Sequence, residues 1–124
     1  MMKIVIKAPA VLIAAAIWFL SSQSVLPQPK GILGFDKVQH LIAYAVLAGT
    51  IGVWFSMDQW KNRVYRTVLL VIVIASAYGV SDEIHQSFVP GRDCNVWDWI
   101  ADTLGAVLGA VAVMFAARNS RQKV

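Results

Sequence analysis

The chain has 124 residues, of which 58% are hydrophobic and 15% charged, and its mean hydropathy is +0.62. This apolar content exceeds what a soluble domain of this length needs for one core, so the composition indicates a membrane protein with no room for a second domain. The formal net charge is +4, and the positions of the basic residues favour membrane orientation over nucleic-acid binding as its explanation.

Four long apolar runs are joined by short polar connections. They cover about residues 4–20, 38–57, 67–84 and 96–117, close to the roughly 20 apolar residues that cross a hydrocarbon core. The runs are continuous rather than alternating, which excludes barrel strands, and backbone polar groups in lipid must be paired within a helix. The sequence therefore predicts one all-α domain over residues 1–124, an integral membrane bundle of four transmembrane helices.

The first run also resembles a secretory signal peptide. Lys3 and Lys7 accompany a short apolar region, and the small residues Ser22 and Ser24 follow it. These are the features of a cleaved targeting segment. We favour a retained helix, and either outcome leaves the following loop outside the membrane.

Lysine and arginine residues are unevenly distributed among the connections. One group lies before the first run, between the second and third runs, and after the fourth: Lys3, Lys7, Lys61, Arg63, Arg66, Arg118, Arg121 and Lys123. The other two connections contain only Lys30, Lys37 and Arg92. The positive-inside rule then predicts that both termini and the middle loop are cytoplasmic.

Polar side chains are concentrated where the second run begins, the third ends and the fourth begins, most densely in SDEIHQSFVPGRDCNVWDWIAD, residues 81–102. Helical spacing aligns the polar residues on each of these segments, so three helices present ionisable groups at about the same depth. The sequence predicts an outward-facing ligand-binding pocket formed by Asp36, His40, Tyr44, Asp82, Glu83, Gln86, Arg92, Asp98 and Asp102.

The fourth helix carries the deepest of these groups. A carboxylate at depth in a bilayer costs several kcal/mol unless it is paired or hydrated, so Asp98 and Asp102 are expected to face the bundle interior or a water-filled cavity. Gly105 and Gly109 continue nearly the same face and form a small-residue stripe. Such a stripe permits close helix approach, and packing within the chain is favoured over a dimer contact.

The loop before the fourth helix contains Pro90, Gly91 and Arg92, a turn expected to direct the arginine back toward the carboxylates. Two roles for Arg92 stay open, an ion pair with Asp82, Glu83 or Asp98 and a bidentate contact to a ligand, and the ion pair is favoured. Cys94 is the single cysteine of the chain, which excludes an intrachain disulfide.

The segments DKVQHLIAYAVLAG and YGVSDEIHQSFVPGRDCNVWDWIADTLGAVLGA resemble the VanZ-like family of small bacterial membrane proteins. That family is named for a protein conferring low-level resistance to the glycopeptide teicoplanin, so the resemblance implies a cell-envelope role in the bacterial cytoplasmic (inner) membrane. One departure is Asp102, where the family pattern leads us to expect asparagine. The matching positions are Asp36, Lys37, His40, Tyr44, Asp82, Glu83, His85, Gln86, Pro90, Arg92, Asp98, Gly105 and Gly109.

Three functions remain open at this point. The favoured one is a non-enzymatic envelope factor whose extracytoplasmic pocket binds a lipid headgroup, an envelope glycopolymer or a lipid-linked precursor and influences teicoplanin susceptibility. The second is a membrane hydrolase or phosphotransferase acting on lipid-linked substrates, and the third is a small oligomeric transporter. A further alternative is a network of paired charges that joins the helices without binding a ligand.

For an enzyme, the candidate catalytic residues are His40, Glu83, His85 and Arg92, which supply imidazole, carboxylate and guanidinium groups. The chain has no H-E-x-x-H motif, and Glu83 and His85 are too close in sequence to share a helical face. No cofactor is predicted, but His40, Glu83, Asp98 and Asp102 are candidate ligands for a divalent metal.

Overall fold

The computed structural model describes residues 1–25 and 34–120. In this part of the chain the helices are α1 (Met2–Ser21), α2 (Phe35–Gly52), α3 (Met57–Asn62), α4 (Val64–Gln86) and α5 (Val96–Asn119). The described residues contain no strand, so the all-α prediction is confirmed. Lys30, Arg121 and Lys123, which entered the charge argument, lie outside the described residues.

The second apolar run is not one helix through residue 57, as the sequence predicted. Helix α2 ends at Gly52, and Ser56 begins the separate helix α3 with a capping box. The Ser56 hydroxyl accepts a hydrogen bond from the Gln59 backbone N–H at 3.3 Å, and the Gln59 side chain accepts one from the Ser56 N–H at 2.8 Å. Because these paired contacts satisfy the first free N–H groups of a helix, they start α3 at Met57, the last residue of the predicted second run.

Three helices, α1, α4 and α5, are long and apolar enough to cross a membrane. Helix α2 does not meet the same standard, although its length of 18 residues is adequate. Its first two turns carry Asp36, Lys37, Gln39 and His40, which lower its hydropathy. The described residues thus show three candidate membrane-spanning helices where the sequence predicted four.

Helix α5 packs directly against α2 through two glycines. A Cβ atom at Gly105 would lie 2.2 Å from the carbonyl oxygen of Leu41, and one at Gly109 would lie 2.2 Å from that of Ala45. These are backbone contacts that no side-chain rotation can relieve. The predicted small-residue stripe therefore serves packing within the chain, with α2 and α5 running parallel.

The helix ends sort into two chemically different groups. At one end, the last turn of α1 meets the last turn of α4, where the Ser21 hydroxyl donates to Asp82 at 2.8 Å. At the other end, the Lys7 ammonium lies 5.6 Å from the ring centre of Trp54, and the Trp60 indole N–H donates to the Gly52 carbonyl at 3.1 Å. We call the first the polar end and the second the basic end of the bundle.

The outward surface of the bundle is apolar along its length. Exposed large hydrophobic side chains include Leu69 and Val73 on α4 and Leu108 and Phe115 on α5. The buried interior includes alanines that let the helices approach, such as Ala48, Ala75 and Ala106. Large residues outside and small residues between helices are typical of a bundle surrounded by lipid.

The close α2–α5 contact can be tested by comparing substitutions at two glycines, Gly105 and Gly49. Gly105→Ala should lower the stability in detergent by at least about 1–3 kcal/mol, because the added methyl overlaps the Leu41 carbonyl and forces the helices apart. Gly49→Ala is the matched control, since a Cβ there meets no described atom within 4 Å. Thermal unfolding of both variants measures the difference, and equal midpoints would contradict the packing described.

Candidate functional site

A cleft of about 860 Å³ lies at the polar end between α1, α2, α4 and the loop that precedes α5. One part of its wall is polar and another part, which includes Ile17, Leu20 and Ile42, is apolar. The predicted site residues that line the cleft are Asp36, His40, Tyr44, Asp82, Gln86, Arg92 and Asp98.

Two of the predicted pocket residues, Glu83 and Asp102, do not line the cleft. Asp102 instead forms a close pair with His40, which does line it. The Nδ1 atom of His40 lies 2.7 Å from Oδ1 of Asp102, whose side chain is fully buried. The other carboxylate oxygen packs against α4, where a Cβ at Gly79 would lie 3.0 Å from Oδ2. Gly79 therefore makes the space in which Asp102 lies, and Asp102 faces the bundle interior as its cost in lipid predicted.

Asp98 lies on the opposite side of the His40 ring. Its Oδ2 atom is 3.8 Å from Nε2 of His40, and its Oδ1 atom contacts the Lys37 ammonium at 2.5 Å. Lys37 also contacts Asp36, its neighbour in sequence. A lysine at a helix start does not by itself indicate that it will pair with a carboxylate 61 residues away, so this contact of Lys37 was not predicted from the sequence.

Glu83 of α4 lies close to His40 and Asp98. Its Oε2 atom accepts the Asn95 backbone N–H at 2.9 Å, which ties the end of α4 to the start of α5. Its Oε1 atom is buried and has no hydrogen-bond partner in the described part of the chain. His40, Glu83 and Asp98 each offer one ligand atom, and these atoms all lie within 4.8 Å of one another.

A second hydrogen-bonded group joins α1 to α4. Gln86 donates through Nε2 to Asp82 at 3.1 Å and to the Ser21 hydroxyl at 3.2 Å. Its carbonyl oxygen accepts Nη2 of Arg92 at 3.1 Å, and Nη1 of Arg92 lies 3.4 Å from the Gln23 carbonyl. Gln86 thus separates Asp82 from Arg92.

The favoured ion pair of Arg92 is therefore wrong. Among residues 1–25 and 34–120, Arg92 forms no ion pair with Asp82, Glu83 or Asp98. The carboxylates have nearer partners in Ser21, Gln86, Lys37 and the Asn95 backbone. The guanidinium instead lines the cleft with donors left for a ligand, because an arginine has five N–H groups and two are used here.

His85 lies apart from the other candidates. Its ring stacks on Trp18 with centroids 3.8 Å apart and planes inclined by 4°, and its Nε2 atom is 3.4 Å from the Ser22 hydroxyl. It does not line the cleft. The helical period explains this position, because residues two apart on a helix point in different directions.

The model of the VanZ/LLP1 family matches residues 4–117, nearly the whole chain. The chain belongs to the VanZ/LLP1 family. No curated protein and no solved structure gives a significant match.

Asp102 stands where the resemblance to the VanZ-like family led us to expect asparagine. The carboxylate holds Nδ1 of His40 with one oxygen, and its second oxygen has no hydrogen-bond partner in the residues described. An asparagine would keep one acceptor oxygen for His40 but would bring no charge. Asp102 therefore adds a negative charge to a group that already contains Glu83 and Asp98.

The His40–Asp102 pair gives a double-mutant prediction. Asp102→Leu or His40→Leu alone should destabilise the protein by about 3–5 kcal/mol, because each leaves a buried polar partner without its contact. The double variant should lose less than the sum of the two, with a coupling of about 0.5–3 kcal/mol. Chemical or thermal unfolding in detergent measures the cycle, and additive effects would show that the two side chains do not interact.

Proposed function

We propose that this VanZ/LLP1 protein is a cell-envelope factor that binds the polar headgroup of a membrane lipid or of a lipid-linked envelope precursor. The proposal places it in the bacterial cytoplasmic membrane and links binding to teicoplanin susceptibility, which the family resemblance suggests. The observation that carries the proposal is the cleft, which has a polar wall and an apolar wall at one end of a lipid-facing bundle.

The apolar wall favours a lipid over a soluble ligand. Leu20 and Ile42 line the cleft and are also exposed on the bundle surface, Ile42 by 57%. The cleft is therefore continuous with the surface that contacts acyl chains. A lipid can place its headgroup against the polar residues while its chain follows the apolar wall without leaving the bilayer.

The polar wall offers two kinds of contact to a headgroup. Arg92 supplies donors for a phosphate or carboxylate group, since it has no acidic partner in the described part of the chain. Asp36 and Asp93 lie on the same wall and accept hydrogen bonds from amine or hydroxyl groups. The combination suits a headgroup that carries an anionic group next to amines or hydroxyls.

Buried polar atoms also favour ligand binding over a purely structural network. Tyr44 Oη, Asp82 Oδ1, Glu83 Oε1 and Asp102 Oδ2 are buried without a hydrogen-bond partner among the residues described. A network that only joined helices would be expected to satisfy its members, because each unsatisfied buried group costs about 1–3 kcal/mol.

For the topology, we propose four membrane crossings, with α2 as the fourth, both termini in the cytoplasm and the cleft outside. Helix α2 packs along α5 through Gly105 and Gly109, which supports a parallel crossing beside it. The basic end of the bundle carries most of the described lysines and arginines, which supports its cytoplasmic placement. These residues are Lys3, Lys7, Lys61, Arg63, Arg66 and Arg118.

Cysteine labelling tests this orientation. Cys94 is the single cysteine of the chain and is exposed at the polar end, so a membrane-impermeant maleimide should label it in intact cells. In the matched control, Met57→Cys in a Cys94→Ser background, the exposed thiol at the basic end should react only after lysis. Labelling of Cys94 only after lysis would reverse the proposed topology.

Filling the cleft tests headgroup binding. Ala43 lines the cleft, so Ala43→Trp should reduce the lipid that copurifies in mild detergent by about tenfold or more, a change of about 1.4 kcal/mol. Val73→Trp, at an exposed α4 position outside the cleft, is the matched control. Mass spectrometry of bound lipid and teicoplanin susceptibility of expressing cells are the two measurements. Equal lipid content and susceptibility in both variants would contradict the proposal.

A second candidate function is supported by one observation, the proximity of ligand atoms from His40, Glu83 and Asp98. With a bound metal this group would suit hydrolysis or phosphoryl transfer on a lipid-linked substrate, because a divalent ion polarises phosphate oxygens and activates water. Turnover of a lipid-linked phosphate by the purified protein would favour this candidate over simple binding.

A further inference from the structure

We propose that His40, Glu83 and Asp98 bind one divalent transition-metal ion beside the cleft, which His40 and Asp98 line, and that Asp102 is the positioning residue for His40. The metal site goes beyond the proposed headgroup binding and does not depend on it. Ligand geometry, the orientation of the imidazole ring and the local charge support it.

The three ligands come from three helices whose ends converge at the polar end. Nε2 of His40 lies 3.8 Å from Oδ2 of Asp98, and the ligand atoms of His40, Glu83 and Asp98 lie within 4.8 Å of one another. Ligand atoms bonded to one Zn²⁺ ion at 2.0–2.2 Å are about 3–3.5 Å apart. Small side-chain rotations are therefore enough to bring all three onto one ion.

Glu83 provides the independent indication of a ligand. The residue is only 4% exposed, and its Oε1 atom has no hydrogen-bond partner among the described residues. Its Oε2 atom is held by the Asn95 backbone N–H, which fixes the carboxylate in place. A buried carboxylate oxygen without a partner is costly in a membrane protein, and coordination of a cation removes that cost.

The orientation of His40 is the one that a metal ligand requires. Nδ1 of His40 lies 2.7 Å from Oδ1 of Asp102, and we assign the ring proton to Nδ1 because a carboxylate oxygen accepts. The lone pair is then on Nε2, which lies 3.8 Å from Oδ2 of Asp98. Metal-binding histidines commonly donate their second ring nitrogen to a carboxylate in this way, which fixes the tautomer and the ring. Because Asp102 is fully buried against Gly79, it cannot move away from this position freely.

The charge of the group also favours a divalent cation. Glu83, Asp98 and Asp102 carry three formal negative charges, and among the described residues Lys37 is the lysine or arginine that pairs with one of them. Lys37 contacts Oδ1 of Asp98 and leaves Oδ2 for the ion. One divalent ion would balance the two remaining charges, whereas a protonated His40 would balance one.

The mixed nitrogen and oxygen ligands indicate the class of metal. Imidazole with carboxylates suits Zn²⁺ or Mn²⁺ better than Ca²⁺ or Mg²⁺, which prefer oxygen ligands alone. Three protein ligands also leave a coordination position for a further group, as in catalytic zinc sites. His40 and Asp98 line the cleft, so that position is accessible to a molecule bound there.

The test uses full-length protein purified in mild detergent with a histidine-free tag and stripped with a chelator. After equilibration with Zn²⁺ and desalting, elemental analysis should give one zinc per chain, and Zn²⁺ should raise the thermal midpoint saturably whereas Mg²⁺ should not. Co²⁺ in the same wild-type protein should give visible absorption bands of a low-symmetry site. Zinc near zero with no cobalt bands would overturn the proposal.

The chain has two histidines, which provide a matched pair of variants. His40→Gln should lower the Zn²⁺ affinity at least tenfold, whereas His85→Gln, with its side chain stacked on Trp18 away from the cleft, should bind as the wild type does. Equal affinities in the two variants would place the metal elsewhere. Asp98→Asn, nearly isosteric with the native residue, repeats the test if His40→Gln fails to fold.

The positioning role of Asp102 has its own signature. Asp102→Asn should weaken Zn²⁺ binding by about 10–100-fold while still reaching one zinc per chain at higher concentration, because the ligands remain but the ring is held less firmly. Its cobalt spectrum should keep the wild-type band positions. Unchanged affinity would show that Asp102 has only a structural role, and a changed spectrum would show that it is itself a ligand.

Discussion

The close contact between α2 and α5 at Gly105 and Gly109 is the constraint on which the site depends. The contact pairs Leu41 with Gly105 and Ala45 with Gly109 in a parallel register of four residues. On the polar side of this contact, His40 of α2 lies beside Asp102 of α5. Side chains larger than hydrogen at the two glycines would separate the helices by more than a hydrogen bond can span. The packing of the apolar half of the bundle therefore sets the geometry of its polar half.

The buried carboxylates are held in different ways, and each way has a different cost. Asp82 accepts hydrogen bonds from the neutral donors Ser21 and Gln86 on one oxygen, whereas Asp98 has the ammonium of Lys37. Asp82, Glu83 and Asp102 each have one oxygen engaged and one oxygen without a partner in the described part of the chain. A charge pair within a membrane gains little net stability over apolar packing. The polar end is therefore expected to add little to stability, which supports the binding role proposed above.

Much of this arrangement follows from the sequence, because helical periodicity and the cost of charge in lipid act on single elements. The spacing of Asp36 and His40 and the depth of Asp102 predict one polar end with an inward-facing carboxylate. The hydrogen-bond partners of Arg92 do not follow from the sequence, because only the folded structure determines which acceptors lie near a loop side chain. Gln86 lies between Asp82 and Arg92, because its amide donates to Asp82 and accepts from Arg92 at the same time.

The end of α2 also could not be predicted from the sequence alone. The hydropathy pattern predicted that the second helix continues to residue 57. The capping box at Ser56 instead begins α3, because backbone N–H groups at a helix start need acceptors. At its other end, α2 is less apolar than the other long helices because its first turns carry Lys37 and His40. The residues that weaken α2 as a membrane span are those that contact Asp98 and Asp102. A more apolar α2 would cross lipid more favourably but would leave both aspartates of α5 without their partners, so the marginal character of α2 is a consequence of the site that it helps to form.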